Sequence, residues 1–268
     1  MVRALVTGAA GRMGTTLVRL IGETEGIEVA GAVERPGHPA VGRDAGEVAG
    51  VGALGVAIGD DLEALLPHAD VVVDFTSATA SMGHVDAVCR AGKAIVVGST
   101  GFSPEDRARI EARATEARIF LAPNMSIGVN VLLRVVADVA RALGDAYDVE
   151  IVETHHRFKK DAPSGTALAL AEAVAQALGR RLETDAVYGR HGLGGGRPAG
   201  QIGIHAVRAG DVVGDHTVVF GGLGERVELT HRATSRETFA RGAIRAALWV
   251  VGRPNGFYGM ADLLGSNG

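Results

Sequence analysis

A short apolar run, Val2–Thr7, passes without a linker into Gly8-Ala9-Ala10-Gly11-Arg12-Met13-Gly14 and from there into an amphipathic helix pattern. Glycines at 8, 11 and 14 permit a tight strand-to-helix turn, a close approach of ligand to backbone, and close packing of helix on strand. The pattern that follows extends the constraint. Glu28–Glu34, Val71–Phe75, Ala94–Val97 and Ile119–Ala122 read as buried strands, with helices at Gly11–Ile21, Thr79–Ala91 and Pro104–Ala117 between them. That alternation predicts a doubly wound parallel sheet with right-handed crossovers and helices on both faces. Between Gly37 and Gly59 the periodicity is too weak to assign an element.

The second half has a different grammar. A long helix, about Ile127 to Leu143, precedes a strand at Asp148–Thr154, and a further helix runs over 165–178. Strand-like runs at Ile202–Arg208, His216–Phe220 and Arg226–Thr230 then follow one another, with turns at 214–217 and 221–225. Clustered strands imply an α+β domain with an open mixed sheet and one helical face. The segment 189–200, with six glycines and a proline, reads as a mobile loop or lid. Thr234-Ser235-Arg236-Glu237 offers a capping box for a last helix to about Val251. Two domains are expected: residues 1–126, completed by 236–268, and residues 127–235.

Between those domains' landmarks lies the most reactive stretch, EIVETHHRFKKDAPSGTA at 150–167. His155, His156, Arg157, Lys159 and Lys160 crowd into six residues just before a helix start at Ser164-Gly165-Thr166. A helix N-terminus beside concentrated positive charge binds anions through its free N–H donors and its macrodipole. Of the 27 basic residues only Lys93, Lys159 and Lys160 are lysines. A lysine retained where arginine is the default points to proton transfer, because only lysine readily gives up its proton. The expected guest is a small, multiply anionic molecule.

Composition excludes several classes. A formal charge of −4 argues against a general nucleic-acid binder, and no apolar run reaches the roughly 20 residues that span a bilayer. The N-terminus lacks a signal-peptide layout and the lone Cys89 cannot form an internal disulfide, so a cytoplasmic protein is expected. No spacing of Cys, His and carboxylates resembles a metal site, and none is assigned.

At the glycine-rich end, Glu34 closes the second strand, where an acid accepts hydrogen bonds from adenosine ribose hydroxyls; the adjacent Arg35 suits a 2′-phosphate instead. Together they suit either NADH or NADPH. Gly98-Ser99-Thr100 and Ala122-Pro123-Asn124-Met125 end later strands, the edge at which ligands sit in open α/β sheets. His38, His68 and His84 read as surface groups. His205, His216 and His231 fall on strands of the second domain as structural or interface residues.

Glu150 through Ala167 matches without a gap the signature E-[IV]-x-E-x-H-x-x-x-K-x-D-x-P-S-G-T-A, and the chain resembles the 4-hydroxy-tetrahydrodipicolinate reductase family, formerly dihydrodipicolinate reductase, of bacterial and plant lysine biosynthesis. The resemblance continues through GAAGRMG at 8–14, DFTS at 74–77, GSTGF at 98–102, PNMSIGVN at 123–130, VRAGDVVGDHT at 207–217 and ERVELTHRATSR at 225–236. It implies a Rossmann-like N-terminal domain, a substrate and oligomerisation domain, a homotetramer, and reduction of a cyclic imine dicarboxylate to tetrahydrodipicolinate by NADH or NADPH. It implies cofactor contacts at Gly8, Ala9, Ala10, Gly11, Arg12, Met13, Glu34, Arg35, Gly98, Ser99, Thr100 and Ala122 to Met125. His155 stands as the proton donor or acceptor and Lys159 as a second donor, with His156, Lys159, Ser164, Gly165 and Thr166 on the substrate. Ser99 stands where the family often has Thr, and Met125 where it often has an aromatic residue.

Two alternatives compete. Another two-domain oxidoreductase, such as a homoserine dehydrogenase, needs no His-His-Arg-x-Lys before Pro-Ser-Gly-Thr. A regulatory protein that senses NADH without turnover explains the glycine turn and leaves His155 and Lys159 idle.

Overall fold

In the computed structural model, which describes residues 1–265, the chain opens with β1 (Val2–Thr7), α1 (Arg12–Gly22), β2 (Ile27–Val33), α2 (Ala45–Ala49), β3 (Ile58–Gly59) and α3 (Leu62–Leu65). It continues with β4 (Val71–Asp74), α4 (Ala78–Arg90), β5 (Ala94–Val97), α5 (Pro104–Ala112), β6 (Arg118–Leu121), α6 (Ile127–Leu143), β7 (Asp148–His155) and α7 (Gly165–Ala177). There follow α8 (Leu182–Asp185), β8 (Ala186–Tyr188), β9 (Ile202–Arg208), β10 (Gly214–Gly221), β11 (Arg226–Ala233), α9 (Glu237–Val250), β12 (Gly256–Tyr258) and α10 (Met260–Gly265). Contacts divide the chain into two units. One is Met1–Ser126 with the described residues from Glu237 onward; the other is Ile127–Arg236.

The first unit holds a seven-stranded sheet in the order β12-β6-β5-β4-β1-β2-β3, and every strand pair in it is parallel. A parallel sheet covered on both faces needs strands that are apolar throughout. Val71–Val73 and Ala94–Val97 satisfy this and are wholly buried. Leu5, Val72, Ile95 and Ile119 pack with Val85, Val88 and Ile110 of α4 and α5, while α9 lies along α1, β4 and β5. From β1 the chain builds outward to β2 and β3 on one side and to β4, β5 and β6 on the other. The order therefore reverses between β1 and β4, whose last residues Thr7 and Asp74 are paired. Local signals set the helix starts. Ser77 caps α4 through the Ala80 N–H, and Ser103 forms a reciprocal capping box with Asp106 at α5.

The second unit holds a mixed sheet in the order β11-β10-β7-β9-β8, antiparallel from β11 to β7 and parallel from β7 to β8. Helices α6 and α7 cover one face, burying Val149, Ile151, Ile202, Ile204, Val218 and Phe220 against Leu132, Val136, Leu170 and Val174.

Several expectations need revision. The helix read over Pro104–Ala117 ends at Ala112, with a tight three-residue turn at 113–115 before β6. The elements β8, α8, β12 and α10 are too short for periodicity to register. At α9 the helix opens at Glu237, which the capping-box reading put one turn inside it, and the Glu237 carboxylate pairs with Arg19 and Arg241. The glycine-rich loop 189–200 is tethered. Arg190 and Arg197 both bind the Glu150 carboxylate, and Arg197 also reaches Asp148.

Candidate active site

In the first unit the glycines behave as the turn requires. Gly8 has φ +62°, and a Cβ on Gly14 would lie 2.1 Å from the Gly8 carbonyl oxygen and 2.7 Å from Ala9 Cα. Helix α1 can start this close to β1 only because Gly14 has no side chain. Its N-cap, Gly11, supplies no capping side chain, and the first turn, Arg12 onward, carries no acid. The leading N–H groups, through Met13 and Gly14, therefore have no intrahelical acceptor and suit an anion. Glu34 follows β2 and reaches back to this turn: its Oε1 accepts the Ala10 N–H at 3.2 Å and its Oε2 the Arg35 N–H at 3.1 Å. Gly8, Glu34 and Arg35 line one cavity of about 380 Å³ with Thr7, Thr76 and His84.

Because the sheet is parallel, the ends of β5 and β6 lie on the same edge. Ser99 is buried and its Oγ accepts a hydrogen bond from Ser81 Oγ at 2.8 Å, next to Gly98 and the exposed Thr100. Beyond β6, Ala122 and Met125 are buried, Pro123 is exposed, and Asn124 Oδ1 accepts the Ser126 N–H at 2.9 Å. His84, expected at the surface, is instead largely buried at the end of the sheet. His84 Nδ1 lies 2.9 Å from Oδ2 of the fully buried Asp74. Burial pushes the Asp74 carboxyl up, but His84 and the Thr76 N–H and hydroxyl outweigh it and hold it below the ordinary value. The only sequence cue was an Asp at a strand end with a His ten residues on, within the next helix.

In the second unit the site grows from strand alternation. Side chains on β7 alternate between faces, so Val149, Ile151, Glu153 and His155 share the helix-covered face. On β10 the same face carries Phe220, Val218, His216 and Gly214, and on β9 Ile202, Ile204 and Arg208. Toward one end of the sheet the apolar core thus gives way to Glu153, His155, Arg208 and His216, just where α7 begins. Glu153 Oε2 lies 2.5 Å from His155 Nδ1, and Glu153 Oε1 accepts the Ser164 N–H at 3.0 Å. Ser164 is buried as the N-cap of α7; its Oγ accepts the Ala167 N–H at 3.2 Å and lies 3.0 Å from His216 Nε2. That hydroxyl is committed to holding the helix start, while Gly165 and Thr166 form the first turn of the helix. Gly165 is exposed, and a Cβ there would meet nothing within 4 Å.

His216, read from the sequence as a structural or interface residue, stacks edge-on to His155 at 5.1 Å. Burial first, then the neighbouring charge of His155, pushes it down to about 4, so it is neutral near pH 7. Lys159 Nζ pairs with Asp161 at 2.9 Å. His156 tilts against the exposed Phe158 and has a buried Nδ1 without a hydrogen-bond partner. The structure therefore gathers His155, Ser164 and the α7 start with Lys159 near by. Glu153, Arg208, Gly214 and His216 were not singled out as site residues, because their convergence depends on strand register.

Family models describe both halves of this chain: "Dihydrodipicolinate reductase, N-terminus" matches residues 2–125 and "Dihydrodipicolinate reductase, C-terminus" matches residues 128–264. A 4-hydroxy-tetrahydrodipicolinate reductase of Anaeromyxobacter dehalogenans (strain 2CP-C) is 58% identical over 268 residues, covering 100% of this chain and 99% of that protein. The enzyme of the same name from Citrifermentans bemidjiense is 54% identical over 265 residues, covering 99% of each. Among solved structures, a dipicolinate-bound dihydrodipicolinate reductase from Paenisporosarcina sp. TG-14 superposes with a TM-score of 0.77 at 23% identity, over 98% of each chain. An amine dehydrogenase from Mycobacterium smegmatis shares the fold at a TM-score of 0.61 and 17% identity, over 96% of this chain and 94% of that one.

Proposed function

The chain belongs to the dihydrodipicolinate reductase family, and from that premise we infer that it reduces 4-hydroxy-tetrahydrodipicolinate to tetrahydrodipicolinate with NADH or NADPH, a step of diaminopimelate and lysine biosynthesis. The observation that carries this reading is the cluster at the start of α7: a buried histidine, a lysine and an open helix N-terminus on one end of one sheet. Reduction of a cyclic imine takes a hydride and a proton. The nicotinamide cofactor supplies the hydride.

The chain's own residues do the rest. The first unit is the dinucleotide-binding domain: the α1 N-terminus and the Gly8–Gly14 turn hold the pyrophosphate, and Glu34 and Arg35 face the adenosine ribose. The turn fits the group: Gly14 lets α1 start directly against the Gly8–Ala9 backbone, and the first turn of that helix carries no acid and no capping side chain. Gly98 to Thr100 and Ala122 to Met125 line the nicotinamide side. The second unit is the substrate domain. Its α7 N-terminus at Gly165 and Thr166, with His156 and Lys159, binds the two carboxylates; His155 and Lys159 Nζ hold the proton that answers the hydride. The sheet face opposite α6 and α7 exposes Val152 and Val207 and pairs Thr217 with Thr230, and it is the surface on which copies associate, into a homotetramer. Among the described residues no helix is long and apolar enough to cross a membrane, and a cytoplasmic location accords with the cofactor's supply.

Consumption of NADH or NADPH on addition of enzymatically generated substrate tests the activity. His155→Ala and Lys159→Ala should each lower turnover by roughly 10²–10⁴-fold while leaving the Kd for NADH unchanged. Pyridine-2,6-dicarboxylate should inhibit competitively with substrate. Near-normal turnover in either variant, or equal inhibition by a pyridine monocarboxylate, refutes the corresponding assignment.

A further inference from the structure

His155 is 8% exposed and Glu153 is fully buried beside it. Four donors converge on the Glu153 carboxylate. His155 Nδ1 approaches Oε2 at 2.5 Å and Arg208 Nη1 reaches the same oxygen at 2.8 Å. Arg208 Nη2 donates to Oε1 at 2.8 Å and the Ser164 N–H to Oε1 at 3.0 Å. An ionised carboxylate offers about four acceptor sites and no donor, so every site is taken. Burial raises the Glu153 carboxyl, but Arg208, His155 and the Ser164 N–H together hold it below its ordinary value, and it is ionised near pH 7. Arginine and a backbone N–H can only donate. His155 Nδ1 must then carry its proton, which leaves Nε2 as the only ring nitrogen able to exchange one.

The other side of the ring is shaped to match. Gly214 lies against it: a Cβ there would stand 2.9 Å from His155 Nε2 and 3.3 Å from Cδ2. The neutral His216 ring meets it edge-on at 76°, and Ser164 holds His216 in place.

We propose that Glu153, locked by the two-pronged Arg208 contact, is the positioning residue of this enzyme, fixing His155 as the Nδ1–H tautomer with Nε2 turned to the proton-transfer path that Gly214 keeps clear. The proposal rests on the reading of His155 as the group that moves the proton. Around His155 stand Glu153 on β7, Arg208 on β9, His216 on β10, Ser164 at α7, and Lys159 and Asp161 in the loop between. Of these only Glu153 accepts from Nδ1.

Wild-type enzyme labelled with ¹⁵N-histidine tests the tautomer without any substitution: a His155 resonance pair showing protonated Nδ1 is expected, and protonated Nε2 in the neutral ring overturns the proposal. Glu153→Gln is the functional arm. Its amide must keep an oxygen toward the Ser164 N–H and Arg208 Nη2, so its NH₂ faces His155 and Arg208 Nη1: one prong of the arginine contact is lost and Nδ1 becomes the acceptor. Turnover should fall by roughly 10²-fold or more, while substrate KM and NADH Kd stay within about threefold, as expected when only a transition-state interaction is lost. The His155 limb of the kcat pH profile should shift with it. In a His155→Ala background the same substitution should cost nothing further. An additional loss there means that Glu153 acts structurally and overturns the proposal, as does near-normal turnover of Glu153→Gln. The two readings separate cleanly, since near-normal turnover of His155→Ala alone removes the premise, whereas a slow His155→Ala beside a fast Glu153→Gln removes only the positioning role.

Discussion

Substitution of Gly14 by alanine isolates what the glycine turn contributes. The new Cβ would stand 2.1 Å from the Gly8 carbonyl oxygen, 2.7 Å from Ala9 Cα and 2.8 Å from the Ala9 carbonyl carbon, where ordinary contact begins at 3.4 Å. All three neighbours are backbone, so no side chain can swing away. Helix α1 must move off the turn by about 1.3 Å, and a hydrogen bond lengthened that far is no longer one. Two charge-assisted N–H contacts to a pyrophosphate, at about 1.5–3 kcal/mol each, are then lost. The expected rise in NADH Kd is roughly 10²–10⁴-fold. The overpacking itself should cost about 1–3 kcal/mol of stability. Calorimetric titration with NADH measures the first and urea unfolding the second, with Gly22→Ala at the far end of α1 as control, because a Cβ there meets nothing within 4 Å. A Gly14→Ala protein that is folded and binds NADH within about threefold of wild type refutes the argument that close approach at this turn creates the site.

Arg35→Ala should weaken NADPH more than NADH and Glu34→Ala the reverse, because a cation suits a 2′-phosphate and an acid suits a ribose diol; steady-state kinetics with both cofactors measure this, and equal losses in either variant refute it. The Glu150 carboxyl gives a pH signature. Burial opposes its ionisation, but Arg190, His205 and Arg197 outweigh burial and hold it down at about 2, against an ordinary 4.5. A depressed carboxyl stabilises the fold fully above its unfolded value and loses that contribution as pH falls from 4.5 toward 2, on the order of 3 kcal/mol in all. Glu150→Gln should therefore flatten the acid limb of urea-unfolding stability, and an acid limb parallel to wild type refutes the assignment.

The strand-and-helix alternation of the first half was legible because a buried parallel strand must be a continuous apolar run and a covering helix must be amphipathic. Val71–Val73 and Ala94–Val97 sit where the pattern put them. The glycine turn was legible for a similar reason, since its backbone leaves no room for side chains. The two-residue β3 and three-residue β12 were not, because a run that short carries no period.

The motif from Glu150 to Ala167 announced its histidines, its lysines and its helix start through residue type and cap chemistry alone. What it could not announce is what surrounds them. Arg208 and His216 lie 53 and 61 residues beyond His155 in the chain. Only the pairing of β7 with β9 and β10 brings them to one face, where Glu153 gathers its donors. A local pattern records what each residue does to its neighbours in sequence, whereas strand register, set by burial of the entire sheet, decides which distant residues share a face. The residue types of the motif were thus written in the sequence, and what His155 packs against was decided by the tertiary structure.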